Sequence, residues 1–219
     1  MTKSNPPTDN RNDSPARNHT PGAGAGRAVA ASRAEANTRA VAASRAELLI
    51  RPARIDDAGA IAEIGVRGWQ EAYRGILPGD FLDRLSVTAR EVAWRTMLSS
   101  DEAGAAPAWL AERDGRAVGF VASGPPRDED VPLPAAEVYA IYVLPDAWRH
   151  GAGRALLAAA VEHWRARGTS TIVLWVLEAN ARGRAFYEAQ GWRPDGGRQE
   201  IDFGGFSAIE IRYRITRSR

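Results

Sequence analysis

The residues from Tyr142 to Leu157 are the most informative for chemistry. A β-rich apolar run breaks at Pro145, passes through a short basic turn holding Gly151 and Gly153, and becomes a strong helix signal. That order sets consecutive backbone N–H groups at a helix N-terminus, where unpaired donors and the macrodipole both favour an anion. Gly151 and Gly153 lack Cβ atoms, so a bulky polyanion can approach the main chain closely. Arg149, His150 and Arg154 add positive charge at the rim. These residue types in this order describe a phosphate cradle. A second group follows downstream, from Asn180 through Tyr187 to Gly191 and Trp192.

These residues need a scaffold, and the flanking sequence supplies one. Leu48 to Arg51 reads as a short strand. Asp56 can cap a helix running to about Tyr73, with Ile61, Ile64, Trp69 and Tyr73 near helical spacing. Pro78, Gly79 and Asp80 mark a turn, and Phe81 to Leu98 reads as one or two further helices. Pro107 to Glu112 and Ala117 to Ser123 are strands joined by Asp114 and Gly115, a strong hairpin signal. Pro125 to Pro134 is a proline-broken acidic loop, and Glu137 to Leu144 is the next strand. A helix then runs from Gly151 to about Arg167, capped by Gly168. Thr171 to Leu177 reads as a buried strand, and Asn180 to Gln190 as a short helix stopped by Gly191. Two terminal strands, about Arg198 to Phe203 and Ser207 to Ile215, close the chain. The order describes one mixed α/β sheet with helices on its faces.

Composition narrows the function classes. The 219 residues are 44% hydrophobic and 26% charged, enough for one ordinary domain plus a tail. Cysteine is absent, which excludes disulfides, thiolate metal sites and cysteine nucleophiles. His19, His150 and His163 are too scattered for a zinc site, so no metal is expected. No apolar run reaches membrane-spanning length and the N-terminus lacks a signal-peptide core, so a cytoplasmic protein without a membrane partner is expected. Residues 1–46 carry seven basic and three acidic side chains; the remaining 22 basic and 24 acidic leave the folded part net negative. Nucleic-acid binding is therefore not expected, because such domains concentrate positive charge on the folded part. Residues 1–47 hold few large apolar side chains and repeat Arg27 to Glu35 at Arg39 to Glu47. They read as a disordered Ala/Arg-rich tail before a domain over residues 48–219.

From about Leu48 to Ile215 the chain resembles GNAT-type N-acetyltransferases. The likeness rests on Glu137 to Leu157 and on Asn180 to Trp192. It implies a mixed, mostly antiparallel central sheet flanked by helices, and acetyl-CoA as acyl-donor substrate. The family loop usually runs Gln or Arg, two residues, Gly, any residue, then Gly or Ala; here Trp148 holds the first position. That leaves the backbone cradle of Trp148, Arg149, His150, Gly151, Ala152, Gly153 and Arg154 but removes one side-chain donor. The resemblance further implies that the strand at Thr171 to Leu177 splays away, leaving an edge near Ile141 and Val143 for the amide-rich pantetheine arm. Tyr187 would protonate the departing thiolate, Asn180 would help hold the arm, and a strand N–H near Val143 would stabilise the oxyanion. Glu137 is the candidate general base.

The expected reaction is acetyl transfer to a primary amine, preferentially of a small molecule, by direct attack on the thioester. Some protein-N-terminal acetyltransferases carry a glutamate five residues before the asparagine; Trp175 stands there, against a ribosomal-protein-type acceptor. Protein N-terminal or lysine acetylation is the alternative, and a non-catalytic acyl-CoA-binding regulatory module is the other. Trp69 to Pro78 could line the acceptor pocket or simply pack as a helix and turn. Asp128, Glu129 and Asp130 could attract a cationic amine or be solvated surface. Arg182 and Arg184 could reach a donor phosphate or form a solvated helix face. A terminal strand could pair with a second copy to give a homodimer.

Overall fold

Asp114 and Gly115 adopt φ of 51° and 74°, the left-handed pair that a tight hairpin requires. They join β2 (Ala108–Arg113) to β3 (Arg116–Gly124). Around this hairpin lies a seven-stranded sheet of order β1-β2-β3-β4-β5-β7-β6. The other strands are β1 (Leu48–Pro52), β4 (Ala135–Val143), β5 (Thr171–Leu177), β6 (Arg193–Asp202) and β7 (Ser207–Thr216). Only β4 and β5 pair in parallel. The chain is seen in a computed structural model that describes residues 47–99 and 107–216; apart from Glu47, the expected tail lies outside them.

Helices α1 (Ala58–Ala72), α2 (Gly79–Asp83) and α3 (Val87–Leu98) precede β2, α4 (Ala152–Arg165) follows β4, and α5 (Ala181–Ala189) follows β5. Gly65 of α1 packs on Phe120, whereas Leu156 of α4 lies against the neighbouring Gly119. Successive strand residues face opposite sides, so α1 and α4 cover opposite faces of the sheet. Helix α1 buries Ile61 and Ile64, and α4 buries Leu156, Leu157 and Ala160, at the spacing of an apolar stripe. No helix among the described residues is long and apolar enough to cross a membrane.

Two local expectations are corrected. Asp56 does not cap α1: a 3-10 turn at Ile55–Asp57 precedes the helix, and Asp57 takes the N-cap position. The Asp57 carboxylate accepts the Arg54 N–H at 2.7 Å and pairs with Arg51 instead. Strand β6 starts at Arg193 rather than Arg198, because a register shift between Pro194 and Arg198, with Gly196 at φ 95°, absorbs the turn-like residues. The last strand, β7, lies between β5 and β6, so the sheet edges open to a second copy are β1 and β6.

The feature that makes a site is the parting of β4 from β5. Their pairing runs from Ala135 opposite Thr171 to Val138 opposite Leu174 and stops, while β4 continues beside β3 to Val143 opposite Gly119. A bulge sits at the divergence: Ala122 faces Ala140 and Ser123 faces Val138, leaving Tyr139 as the extra residue. The splay implied by the family resemblance is therefore present.

Candidate active site

Beyond the bulge, β4 offers an edge with no strand beside it. The Leu144 N–H donates to the Val118 carbonyl at 2.8 Å. Antiparallel alternation then turns the N–H and C=O of Ile141 and Val143 the other way, into the slot. The slot is a cavity of about 610 Å³, within the usual range for small-molecule sites.

The cradle closes one end of it. Pro145–Ala147 makes a 3-10 turn, Trp148 is extended, Arg149 takes φ 62° and Gly151 takes φ 90° immediately before α4. The Ala155 N–H is bonded to the Gly151 carbonyl at 3.0 Å, so the N–H groups of Ala152, Gly153 and Arg154 precede the helical ladder. Those three residues line the cavity together with Trp148, Arg149 and Gly151. His150 does not; its carbonyl accepts a hydrogen bond from Arg113 at 2.8 Å, which pins the loop from outside. Gly151 is required by its φ. Gly153 is less constrained, for a Cβ there would make an ordinary contact of 3.4 Å with Phe186 Cζ. Together this is an anion site built from main chain, with Arg149 and Arg154 beside it.

Asn180 caps α5: its Oδ1 accepts the Gly183 N–H at 2.9 Å, and the residue is buried while lining the cavity. Two α5 turns on, Tyr187 also lines the cavity. Its ring packs near Trp192 and Tyr213 at centroid distances of 6.4 and 6.3 Å, and Tyr213 in turn donates to Glu188 at 2.7 Å. Burial raises the Tyr187 hydroxyl well above the ordinary phenol value, with Tyr73 adding to the shift. A neutral phenol facing the slot can donate a proton. The structure thus brings Ile141, Val143, Trp148, Arg149, Gly151, Ala152, Gly153, Arg154, Asn180 and Tyr187 around one cavity.

Glu137 is placed differently. It is fully buried but does not line the cavity, and its carboxylate is held by Arg127 through the backbone N–H at 2.9 Å, Nε and Nη2. The acidic loop is likewise engaged: Arg212, almost fully buried, pairs with Asp128, Asp130 and Asp195 at 3.0, 2.6 and 3.0 Å. Trp175 completes that cluster by donating its indole N–H to Asp128 at 2.9 Å while also lining the cavity. Asp128 and Asp130 therefore fasten the loop onto β7 through Arg212.

Across the slot from the cradle, Tyr73 and Tyr142 join Tyr139 and Trp175 in the wall. Trp69 does not line the cavity; it packs edge-on against Tyr73 and, with Phe81 and Phe203, closes the region behind it. Glu210 on β7 was not singled out by the sequence. It stands opposite Leu177, and paired residues share a sheet face, here the one where Leu177 packs with Leu77 and Tyr73. Gln199 donates to one carboxylate oxygen at 3.0 Å. Burial raises the Glu210 pKa; burial also raises the Tyr73 hydroxyl, with the Glu210 charge adding to that. Its alternation with Arg212 and Arg214 reads in sequence as an ordinary polar strand face, which conceals it.

Comparison with known proteins agrees with this geometry. The model of the acetyltransferase (GNAT) family matches residues 68–192. An uncharacterized N-acetyltransferase of Bacillus subtilis is 36% identical over 146 residues, 64% of this chain and 77% of that one. Among solved structures, the PaiA N-acetyltransferase of Thermoplasma acidophilum in complex with coenzyme A superposes with a TM-score of 0.63 at 18% identity, covering 78% of this chain and 99% of that one. The putative acetyltransferase yncA of Salmonella typhimurium, solved with acetyl-CoA, gives 0.57 at 20% identity, covering 78% and 94%.

Proposed function

Because the chain belongs to the GNAT acetyltransferase family and is an acyltransferase, we propose that it transfers an acetyl group from acetyl-CoA to a primary amine of a small molecule. The observation that carries this is the slot itself. An anion cradle stands at one end, an unpaired strand edge runs along the side, and tyrosines line the remainder. The residues fit such a donor. The N–H groups of Ala152 to Arg154 suit a diphosphate, and the free edge at Ile141 and Val143 suits an amide-bearing arm. Coenzyme A or acetyl-CoA in the two solved neighbours supports the same donor.

Bound there, acetyl-CoA supplies an activated acetyl carbonyl whose C–S bond breaks as the amine nitrogen bonds to the carbon. The Val143 N–H is placed to donate to the carbonyl oxygen as negative charge builds on it. Tyr187 gives its proton to the departing sulfur, and its neutral state across a wide pH range suits that role. The proton lost by the amine goes to Glu210, a carboxylate on the sheet face of Tyr73 and Leu177 whose partial burial raises its affinity for a proton. Glu137, held by Arg127, fastens the loop between β3 and β4 to the sheet. Tyr73, Tyr139 and Trp175 line the acceptor side with aromatic rings, which supports a small acceptor over an extended peptide. Thiol release from acetyl-CoA across a panel of amines tests the reading. Amine-dependent release is expected; clear CoA binding without release by any amine would overturn it.

A further inference from the structure

Trp148 stands at the loop position that carries Gln or Arg in the family pattern, and its one donor is engaged. The indole N–H donates to the Val143 carbonyl at 2.7 Å. No side-chain donor from this position is left for an anion in the slot. From the opposite wall, Arg182 of α5 lays its guanidinium over the Trp148 ring, with Cζ 3.8 Å from the ring centroid. Such stacking fixes the plane of the guanidinium and leaves its in-plane N–H donors pointing outward. Among the described residues, none of those donors has a hydrogen-bond or carboxylate partner. Arg184, two residues on, contrasts with it: it donates to the Glu178 carbonyl at 3.0 Å and to the Tyr213 hydroxyl at 3.4 Å. Only Arg182 of the two lines the cavity, as Gly151 and Arg154 do.

We infer that Arg182, held flat on Trp148, binds the diphosphate of the acyl donor, supplying from α5 the side-chain donor that the loop's first position lacks. The inference rests on the donor proposed above. The diphosphate is then clamped between two unlike partners: backbone N–H groups of Ala152 to Arg154 on one side and a rigid guanidinium fork on the other. Trp148 is a positioning residue. It orients Arg182 through its ring and anchors itself to β4 through Val143.

Calorimetric titration of the full chain with three ligands tests this: CoA, dephospho-CoA lacking the 3′-phosphate, and pantetheine lacking the nucleotide. Arg182→Gln is expected to weaken CoA and dephospho-CoA by the same factor, about tenfold or more, and to leave pantetheine unchanged. Trp148→Phe keeps a stacking face and retains most of the affinity. Trp148→Ala loses affinity, and adding Arg182→Gln to it costs much less than Arg182→Gln alone, as expected for coupled residues. A loss confined to CoA would put Arg182 on the 3′-phosphate and overturn the inference, as would unchanged CoA affinity or fully additive losses. Wild type failing to bind any of the three would defeat the donor reading itself, a result visible before any variant is made.

Discussion

Tyr73 of α1 and Tyr142 of β4 hold their hydroxyl oxygens 3.3 Å apart, bridging helix to strand where β4 no longer has β5 beside it. The contact depends on how closely α1 approaches the sheet. A Cβ on Gly68 would lie 2.8 Å from Tyr142 Cδ1, so only glycine lets the ring sit there. Gly68→Ala should push Tyr142 into the slot, destabilise the fold by about 1–3 kcal/mol and depress acetyl transfer. Thermal melting and steady-state rates on the same preparation check both parts.

Tyr187→Phe removes one oxygen and leaves the ring packed against Trp192 and Tyr213. Stability should barely change, whereas kcat should fall about 10²-fold or more. With the phenol raised by burial, the wild-type rate should not decline on its account through the mildly alkaline range. A variant with unaltered kcat would remove Tyr187 from the proton-donating role.

The two loop glycines should behave differently. Gly151 holds φ 90°, so Gly151→Ala forces a β-carbon into the left-handed region at about 1–2 kcal/mol and reshapes the cradle. Gly153 has ordinary helical geometry, and Gly153→Ala brings only contacts of 3.4 and 3.5 Å with the end of the Phe186 ring. Donor KM should rise strongly for the first variant and modestly for the second.

Glu210 and Glu137 can be separated by pH. A buried carboxylate with a raised pKa holds its proton more tightly folded than unfolded. Its contribution to stability is full below the unfolded value, about 4.3, and is lost as pH rises through the folded value. Glu210→Gln should therefore melt higher relative to wild type at pH 7 than at pH 4. The same variant should lose the acidic limb of kcat/KM that Glu210 imposes. Glu137→Gln should leave that limb in place while lowering the melting temperature, since the Arg127 contacts are weakened. The opposite pattern would return the proton-accepting role to Glu137.

Arg212 is the keystone of the loop over β5 and β7. Arg212→Ala takes the buried cation from Asp128, which keeps only the Trp175 indole, and leaves Asp195 to Arg214, at about 3–5 kcal/mol. Loss of this order should be evident as a large drop in denaturant midpoint; a drop of less than about 1 kcal/mol would show the cluster to be no stronger than a surface pair.

The hairpin at Asp114 and Gly115, the Gly151 turn and the strand at Thr171–Leu177 are legible in the sequence because each is set by local chemistry. Left-handed φ demands glycine or its like, and a continuous apolar run between turns can only be buried. The cradle residues are legible for the same reason, being consecutive in the chain. Relations between distant segments are not. Nothing near Glu137 announces Arg127 as its partner, and nothing near Trp148 announces Arg182 on its ring. Glu210 is hidden because its neighbours on the strand alternate as on a solvent face, and only the pairing of β7 with β5 sets it beside Leu177.

The extra residue at Tyr139 works as a change of parity in β4. Before it, odd-numbered Glu137 points to the face of the loop and α1; after it, that face belongs to even-numbered Tyr142, against Gly68, while Val143 meets Gly119 and Leu156 near α4. The bulge is a frameshift written in side chains rather than codons: it changes which numbers face α1 without changing which residues meet on β3. Deleting Tyr139 would set Ala140 directly after Val138 with the partners both already have, keeping Tyr142 toward α1 and Val143 toward α4 but regularising the ladder where β4 parts from β5.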